Sequence, residues 1–277
     1  MSARILEGAP IAQTRLEALK PRLEELKKQG ITPRLAIILV GEDPASRTYV
    51  GIKQERAREI GIEARLYHFV DTVAYDVVAR AIGNLGKDAA IHGIIVQLPV
   101  PKSWDVDRLV RTIAPAKDVD ALGSQRYFSH PTPQAILTLL HAHAISLTGK
   151  RVALIGYGRL VGRPLSKLLE SMGVAHTVYS PRHGNVDQCC LKEDIVISAT
   201  GKKVITPDKI QPGTIVVNAA EDLDFDDIKK VAGAVTPPKG GIGPLTVVLL
   251  LENVVLAASR LARSKVKGSR NEHPHAA

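Results

Sequence analysis

The segment GEDPASRTYVGIKQERAREIG offers the clearest chemistry in the chain. On a helix, Ser46, Tyr49 and Lys53 fall at i, i+3 and i+7, so two hydroxyls and an amine share one face. A lysine is by default a solvated surface residue; what changes its reading is the company downstream. HGIIVQLPVPK is an apolar strand whose end carries Gln97, and Pro99 and Pro101 stop the ladder there. PAKDVDALG adds Asp118 and Asp120, which an extended backbone points the same way. A carboxylate accepts two parallel hydrogen bonds, which suits a planar amidine-like edge such as that of a pterin. A lysine drawn into an apolar cleft has a depressed pKa and exchanges protons near neutrality. Taken singly, each segment also reads as an ordinary exposed face, strand end or linker turn.

A second kind of chemistry is written in VALIGYGRLVGRPLSKLL. Gly156, Gly158 and Gly162 fall at a strand-to-helix turn and approximate a dinucleotide fingerprint with one residue inserted. Tyr157 and Arg159 lie inside that turn, and glycines let backbone N–H groups approach a pyrophosphate at a helix N-terminus. About 20 residues on, where an NAD enzyme places an acid, the chain reads YSPRHG. Ser180 and Arg182 there suit a phosphate, which favours NADP over NAD. In VTPPKGGIGPLT, Gly240, Gly241 and Gly243 form a loop able to approach a ligand closely, and Pro244 opens the last helix.

The elements that must carry these groups alternate. Apolar runs RLAIILVG, ARLYHFV and HGIIVQL are separated by helical stretches at Pro44 to Gly61 and Val73 to Leu85, with SWDVDRLVRTI as a further helix. The stretch IAQTRLEALKPRLEELKKQG has helical spacing broken only by Pro21. A second series follows: a helix ending near His143, then RVALIGYG, GRPLSKLLESMG, AHTVYS, DIVISATG, TIVVNAA and a long helix from Gly243 to Arg263. Strands separated by helices imply parallel pairing. The expected fold is α/β with two domains. Residues 1–121 with helix 243–263 form a catalytic α/β domain, 122–242 a Rossmann-like, doubly wound parallel sheet, and 264–277 a basic, disordered tail.

Composition bounds the rest. With 277 residues, 45% hydrophobic and 23% charged, the chain can bury a substantial core, built on aliphatic side chains because aromatics make up only 4%. No uninterrupted apolar run approaches the roughly 20 residues of a membrane span, and the N-terminus lacks a secretion signal's apolar stretch, so a cytoplasmic location is expected. Cys189 and Cys190 are adjacent, without metal-ligand spacing, and read as ordinary thiols; no metal is expected. The net charge of +9 favours anionic ligands. No nucleic-acid motif accompanies it, so nucleic acid is not an expected partner.

With these segments in order, the chain resembles the bifunctional methylenetetrahydrofolate dehydrogenase/cyclohydrolase family over roughly residues 5 to 260. The shared motifs are YVGIK at 49–53, VQLPVPK at 96–102, KDVD at 117–120, LVGRP at 160–164 and GGIGPLT at 240–246. The resemblance implies two reactions: oxidation of methylenetetrahydrofolate with NADP, then hydrolysis of the methenyl product to 10-formyltetrahydrofolate. It implies Lys53 as the key catalytic group, Gln97 orienting it, Tyr49 stacking on or supporting the folate, and Asp120 holding the pterin. Ser46, Leu98, Gly240, Gly241, Gly243 and Pro244 join the folate site, and Ala220 the cofactor site. It also implies a homodimer formed through the second domain. Departures gather on the nucleotide side: Gly156-Tyr157-Gly158 stands for the usual Gly-Arg-Ser, and Asn218-Ala219-Ala220 for Asp-Val-Gly. Ala121 replaces the glycine after the aspartate motif, Lys239 the proline before the glycine loop, and Pro131 the cysteine before Thr-Pro. A specialised paralogue that keeps the folate site without efficient hydride transfer is the second reading, and a non-catalytic folate-binding protein the third.

Overall fold

The computed structural model describes residues 2–123, 127–183, 192–220 and 222–270. Cys189 and Cys190 lie outside the described residues, as do 271–277 of the expected tail. The chain forms two compact α/β units. One comprises residues 15–129 with the chain from 250 onward, the other residues 1–14 with 130–249.

The first unit is built on a three-stranded parallel sheet in the order β3-β2-β4, from β2 (Arg34–Val40), β3 (Glu63–Phe69) and β4 (Gly93–Val96). β2 reads RLAIILV because it is central, and Leu35 to Val40 are all buried. Helices α2 (Pro44–Glu59) and α3 (Tyr75–Lys87) make the two crossovers, and α4 (Val106–Val110) follows β4. Ile38, Val78, Ile82, Ile94 and Leu109 centre the core. The start of α2 is specified locally: Pro44 sits in its first turn, and the Asp43 carboxylate accepts from the Ser46 N–H at 2.8 Å.

The second unit holds a six-stranded parallel sheet in the order β1-β9-β8-β7-β5-β6. Its strands are β1 (Arg4–Ile5), β5 (Val152–Ile155), β6 (His176–Tyr179), β7 (Ile195–Ser198), β8 (Ile215–Asn218) and β9 (Ala234–Val235). α5 (Pro131–Ala142) precedes β5, α6 (Gly162–Ser171) links β5 to β6, and α7 (Phe225–Ile228) lies between β8 and β9. β5 pairs with β6 on one side and β7 on the other, so strand order reverses at β5. Ligands bind beyond the carboxyl ends of strands at such a switch point.

Several boundaries differ from the expected ones. Residues 1–14 belong with the second unit, because Arg4 and Ile5 pair with Ala234 and Val235. Two-residue strands carry no periodicity, which hides both partners in the sequence. Pro21 does not break α1 (Ala9–Lys28); it lies on an exposed face, where water can serve the displaced carbonyl. The helix expected over SWDVDRLVRTI is only Val106–Val110, opened by Asp105 accepting from Arg108 N–H at 3.0 Å. The last helix, α8 (Ile242–Arg270), continues past Arg263 into the expected tail. Its stretch Ile242–Ala262 is long and apolar enough to cross a bilayer, against the expectation that none is; 61% of that stretch is buried, as in the core helix of a globular protein.

α5 ends in a left-handed turn without glycine. Ala144 has φ 56°, with its N–H donating to His141 O and that of Ile145 to Leu140 O, each at 2.9 Å. A side chain in this conformation costs about 1–2 kcal/mol, less glycine's own entropic penalty. Ala144→Gly is therefore expected to stabilise the chain by up to about 1 kcal/mol, a melting shift of about 2–4 °C by calorimetry. An unchanged or lowered melting temperature would contradict this.

Candidate active site

In the first unit, the residues that close the hydrogen-bonding face of α2 diverge in role. Ser46 is 2% exposed and its Oγ donates to the Leu98 carbonyl at 3.3 Å, tying the helix start to the segment after β4. Lys53 Nζ donates to Gln97 Oε1 at 2.9 Å. Gln97 is itself held: its N–H donates to Ile38 O at 2.8 Å, and its Nε2 to Leu98 O at 2.9 Å. The second bond turns the amide oxygen toward the amine. Tyr49, expected to stack on or support the folate, makes no hydrogen bond to the lysine among the described residues and stands 52% exposed. Its ring is available for stacking.

Asp118 and Asp120, expected to point together, separate. Asp118 is 2% exposed, and its carboxylate accepts from the N–H groups of Gly123 at 2.7 Å and Leu122 at 3.3 Å. It closes the loop rather than meeting a ligand. Ala121, inside that loop, has φ 57°, which accounts for the family's glycine at this position. Asp120 instead couples electrostatically to Lys53. Burial pushes the Lys53 amine below its usual range, with Asp120 partly opposing. Burial pushes the Asp120 carboxyl up, with Lys53 partly opposing. Burial thus disfavours the charged form of each group, and each group offsets part of that effect in the other.

Two residues that the sequence reading passed over fix this loop. Lys117 is buried and its Nζ donates to the carbonyls of Asp88, at 2.6 Å, and Leu85, at 3.3 Å, at the C-terminus of α3, where a cation meets the helix dipole favourably. Asn253 of α8 donates to Val119 O at 2.8 Å and Ser129 O at 2.9 Å. Gly93 admits the loop closely, since a Cβ there would lie 2.9 Å from a Val119 methyl.

Burial raises the Asp118 carboxyl to about 6, against the lowering effect of its backbone donors. A folded-state value above the unfolded 3.8 means that the folded chain binds this proton more tightly. The stability it contributes is fully present below pH 3.8 and is lost as pH rises through about 6. Wild type should lose on the order of 3 kcal/mol relative to Asp118→Asn over that window in denaturant titrations. Parallel pH profiles for the two proteins would contradict the assignment.

In the second unit, two of the three fingerprint glycines are required and one is not. Gly156 has φ 95°, and a Cβ on it would lie 2.6 Å from Ala199 O. A Cβ on Gly162 would meet Gly156 O at 2.1 Å and Tyr157 Cα at 2.7 Å. Gly158 faces open space and has no left-handed φ, so the turn does not depend on it. α6 starts without a side-chain cap; the Arg163 N–H donates to Gly158 O at 3.0 Å and Pro164 has none, which leaves the Gly162 N–H of its first turn for a ligand. Arg159 lies half-buried within the turn. Ser180 and Arg182 follow the carboxyl end of β6, with Ser180 buried. This cradle at the switch point fits a dinucleotide pyrophosphate.

The loop after β7 is held by Asp222, also absent from the sequence reading. Fully buried, it accepts from Thr200 N–H and Gly201 N–H at 2.6 Å each, from Lys202 N–H at 3.2 Å and from the Ser198 hydroxyl. Asn218 Oδ1 accepts from Asp222 N–H at 2.9 Å and Ala220 N–H at 3.4 Å. Ala220 has no left-handed φ, so its methyl brings no backbone strain. The loop Gly240, Gly241, Gly243 and Pro244 belongs to this unit, not to that of Lys53. Gly240 has φ 81° and its carbonyl accepts from Gly8 and Ala9 N–H at 2.8 Å each. A Cβ on Gly8 would lie 2.0 Å from Gly241 O, so these glycines have a packing role.

One unit carrying a lysine–amide–carboxylate group and another carrying a dinucleotide cradle define a two-domain, nucleotide-dependent α/β enzyme. The chain belongs to the tetrahydrofolate dehydrogenase/cyclohydrolase family: residues 6–120 match its catalytic domain and residues 130–262 its NAD(P)-binding domain. The bifunctional protein FolD of Geobacillus kaustophilus is 38% identical over 285 residues, covering 95% of this chain and 99% of the relative. Among solved structures, the FolD methylenetetrahydrofolate dehydrogenase/cyclohydrolase of Campylobacter jejuni is 32% identical with TM-score 0.87, covering 94% of this chain and 99% of that one. The Trypanosoma brucei enzyme, solved with NADP and an inhibitor, is 27% identical with TM-score 0.87, covering 94% and 98%.

Proposed function

We propose that the chain oxidises 5,10-methylenetetrahydrofolate to the methenyl form with NADP and hydrolyses that product to 10-formyltetrahydrofolate. The observation that carries this reading is the Lys53 amine held at 2.9 Å by the fixed Gln97 amide and biased by Asp120. The Gly156–Gly162 turn and the N-terminus of α6 would hold the pyrophosphate of NADP, which would supply the acceptor for the hydride of the methylene carbon. In the hydrolytic half, water adds to the methenyl carbon while the neutral Lys53 amine takes its proton. The carbinol hydroxyl then gives up its proton to water as the C–N5 bond breaks and N5 takes the proton held by Lys53, leaving the formyl group on N10. Asp120 accepts hydrogen bonds from the pterin edge, and the exposed Tyr49 ring packs on it.

The retained glycine cradle speaks against a paralogue without hydride transfer, and the buried amine against a mere folate binder. The homodimer and the cytoplasmic, membrane- and nucleic-acid-free setting rest on the family resemblance and the sequence; light scattering on the purified chain tests the dimer. With methylenetetrahydrofolate and NADP, methenyl absorbance is expected to rise. No rise with either NADP or NAD would reject the dehydrogenase half.

A further inference from the structure

The turn after β6 is where a doubly wound sheet meets the adenosine ribose, and a carboxylate there selects a free 2′-hydroxyl. The chain places no carboxylate among the described residues of this turn. It builds something else. Ser180, buried at the strand end, has its Oγ 2.8 Å from His183 Nδ1 and accepts the Arg182 N–H at 3.4 Å. The His183 ring lies against Tyr157 of the glycine turn, centroids 4.6 Å apart at 53°. The Arg163 guanidinium sits 5.9 Å over the other partner of that contact, the Tyr157 ring.

Nδ1 of the ring is engaged by Ser180 Oγ, which leaves Nε2 of the exposed His183 as the nitrogen turned to a ligand among the described residues. A phosphate oxygen at Nε2 draws the ring hydrogen there while the Ser180 hydroxyl donates to Nδ1, and in the cation Nε2 is a donor as well. Ser180, by contrast, is already engaged, so the phosphate-binding role expected of its hydroxyl passes to the ring it holds. Arg163 adds an independent pointer. It is the second residue of α6, where the helix dipole disfavours a cation unless an anion is close.

We propose that His183 selects the 2′-phosphate of the nucleotide, with Ser180 and Tyr157 as positioning residues and Arg163 completing the cationic wall. The ligand class is an adenosine carrying a 2′-phosphomonoester. This rests on the NADP reading above and names the residue responsible for it.

Calorimetry on the full chain with 2′,5′-ADP and 5′-AMP tests it without turnover. Wild type should bind 2′,5′-ADP about ten- to a hundredfold more tightly than 5′-AMP, the range for a charge-assisted hydrogen bond. His183→Ala should bring the two affinities together by weakening 2′,5′-ADP alone, and His183→Arg should restore the preference, which a purely structural ring would not allow. In Ser180→Ala bound to 2′,5′-ADP, nitrogen chemical shifts of His183 should move from the Nε2–H tautomer toward a mixture. If wild type prefers 2′,5′-ADP and His183→Ala keeps that preference, the assignment fails while the NADP reading stands. If wild type binds the two probes equally, or binds neither, the NADP reading itself fails and the proposal with it.

Discussion

Lys53→Met is expected to slow methenyltetrahydrofolate hydrolysis by about 10²- to 10⁴-fold, the usual contribution of a positioned acid or base. Methionine keeps the length and apolar stem of the side chain while removing the titratable amine. Gln97 Oε1 then loses the donor it meets at 2.9 Å, and Asp120 loses the cation that partly offsets its burial. Folate affinity should change far less than turnover, because the loop bearing Asp120 is held by Lys117 and Asn253 rather than by Lys53. In wild type, hydrolysis should also rise with pH through the lowered amine pKa, since the base is the neutral form; that limb should vanish in the variant. A variant that hydrolyses at the wild-type rate would remove the amine from the reaction.

Gly162→Ala is expected to weaken NADP binding by about a hundredfold. The added methyl would fall 2.1 Å from Gly156 O and 2.7 Å from Tyr157 Cα. Both are backbone atoms that cannot swing away. The turn must open, and a displacement of the order of 1 Å at a positioned ligand costs about a hundredfold. Overpacking adds about 1–3 kcal/mol of destabilisation. Gly158→Ala is the internal control: its Cβ meets nothing within 4 Å, so nucleotide binding should stay near the wild-type value. Fluorescence titration of NADPH reads both. Equal affinity in the Gly162 and Gly158 variants would mean that the pyrophosphate is held elsewhere.

What the sequence made legible follows from range. Ser46, Lys53 and Gln97 could be placed because helix phase and a strand stopped by proline are local properties, and the structure does bring the amine to the amide. RLAIILV read as a strand for the same reason. Asp118 and Asp120 were misjudged because the i, i+2 rule assumes an extended chain, whereas the backbone turns here, with Val119 N–H donating to Lys117 O and Ala121 N–H to Asp118 O. Asp222 had no signal at all. It lies in EDLDFDD among three other aspartates that are all exposed, and only the fold decides which one enters the loop after β7. His183 was hidden by its neighbours Ser180 and Arg182, whose types fit a phosphate in isolation. The pairing of β1 with β9 could not be anticipated because it joins residues some 230 positions apart.

That pairing bears on how the protein can be made and inherited. The backbone passes between the units three times, after residues 14, 129 and 249. Neither half can be lifted out as a contiguous cassette, and no single proteolytic nick would release one. A gene fragment encoding only 130–262 would leave the nucleotide sheet without its edge strand. During synthesis Arg4 and Ile5 leave the ribosome some 230 residues before Ala234 and Val235, so that strand must wait for all the chain between them before it finds its place.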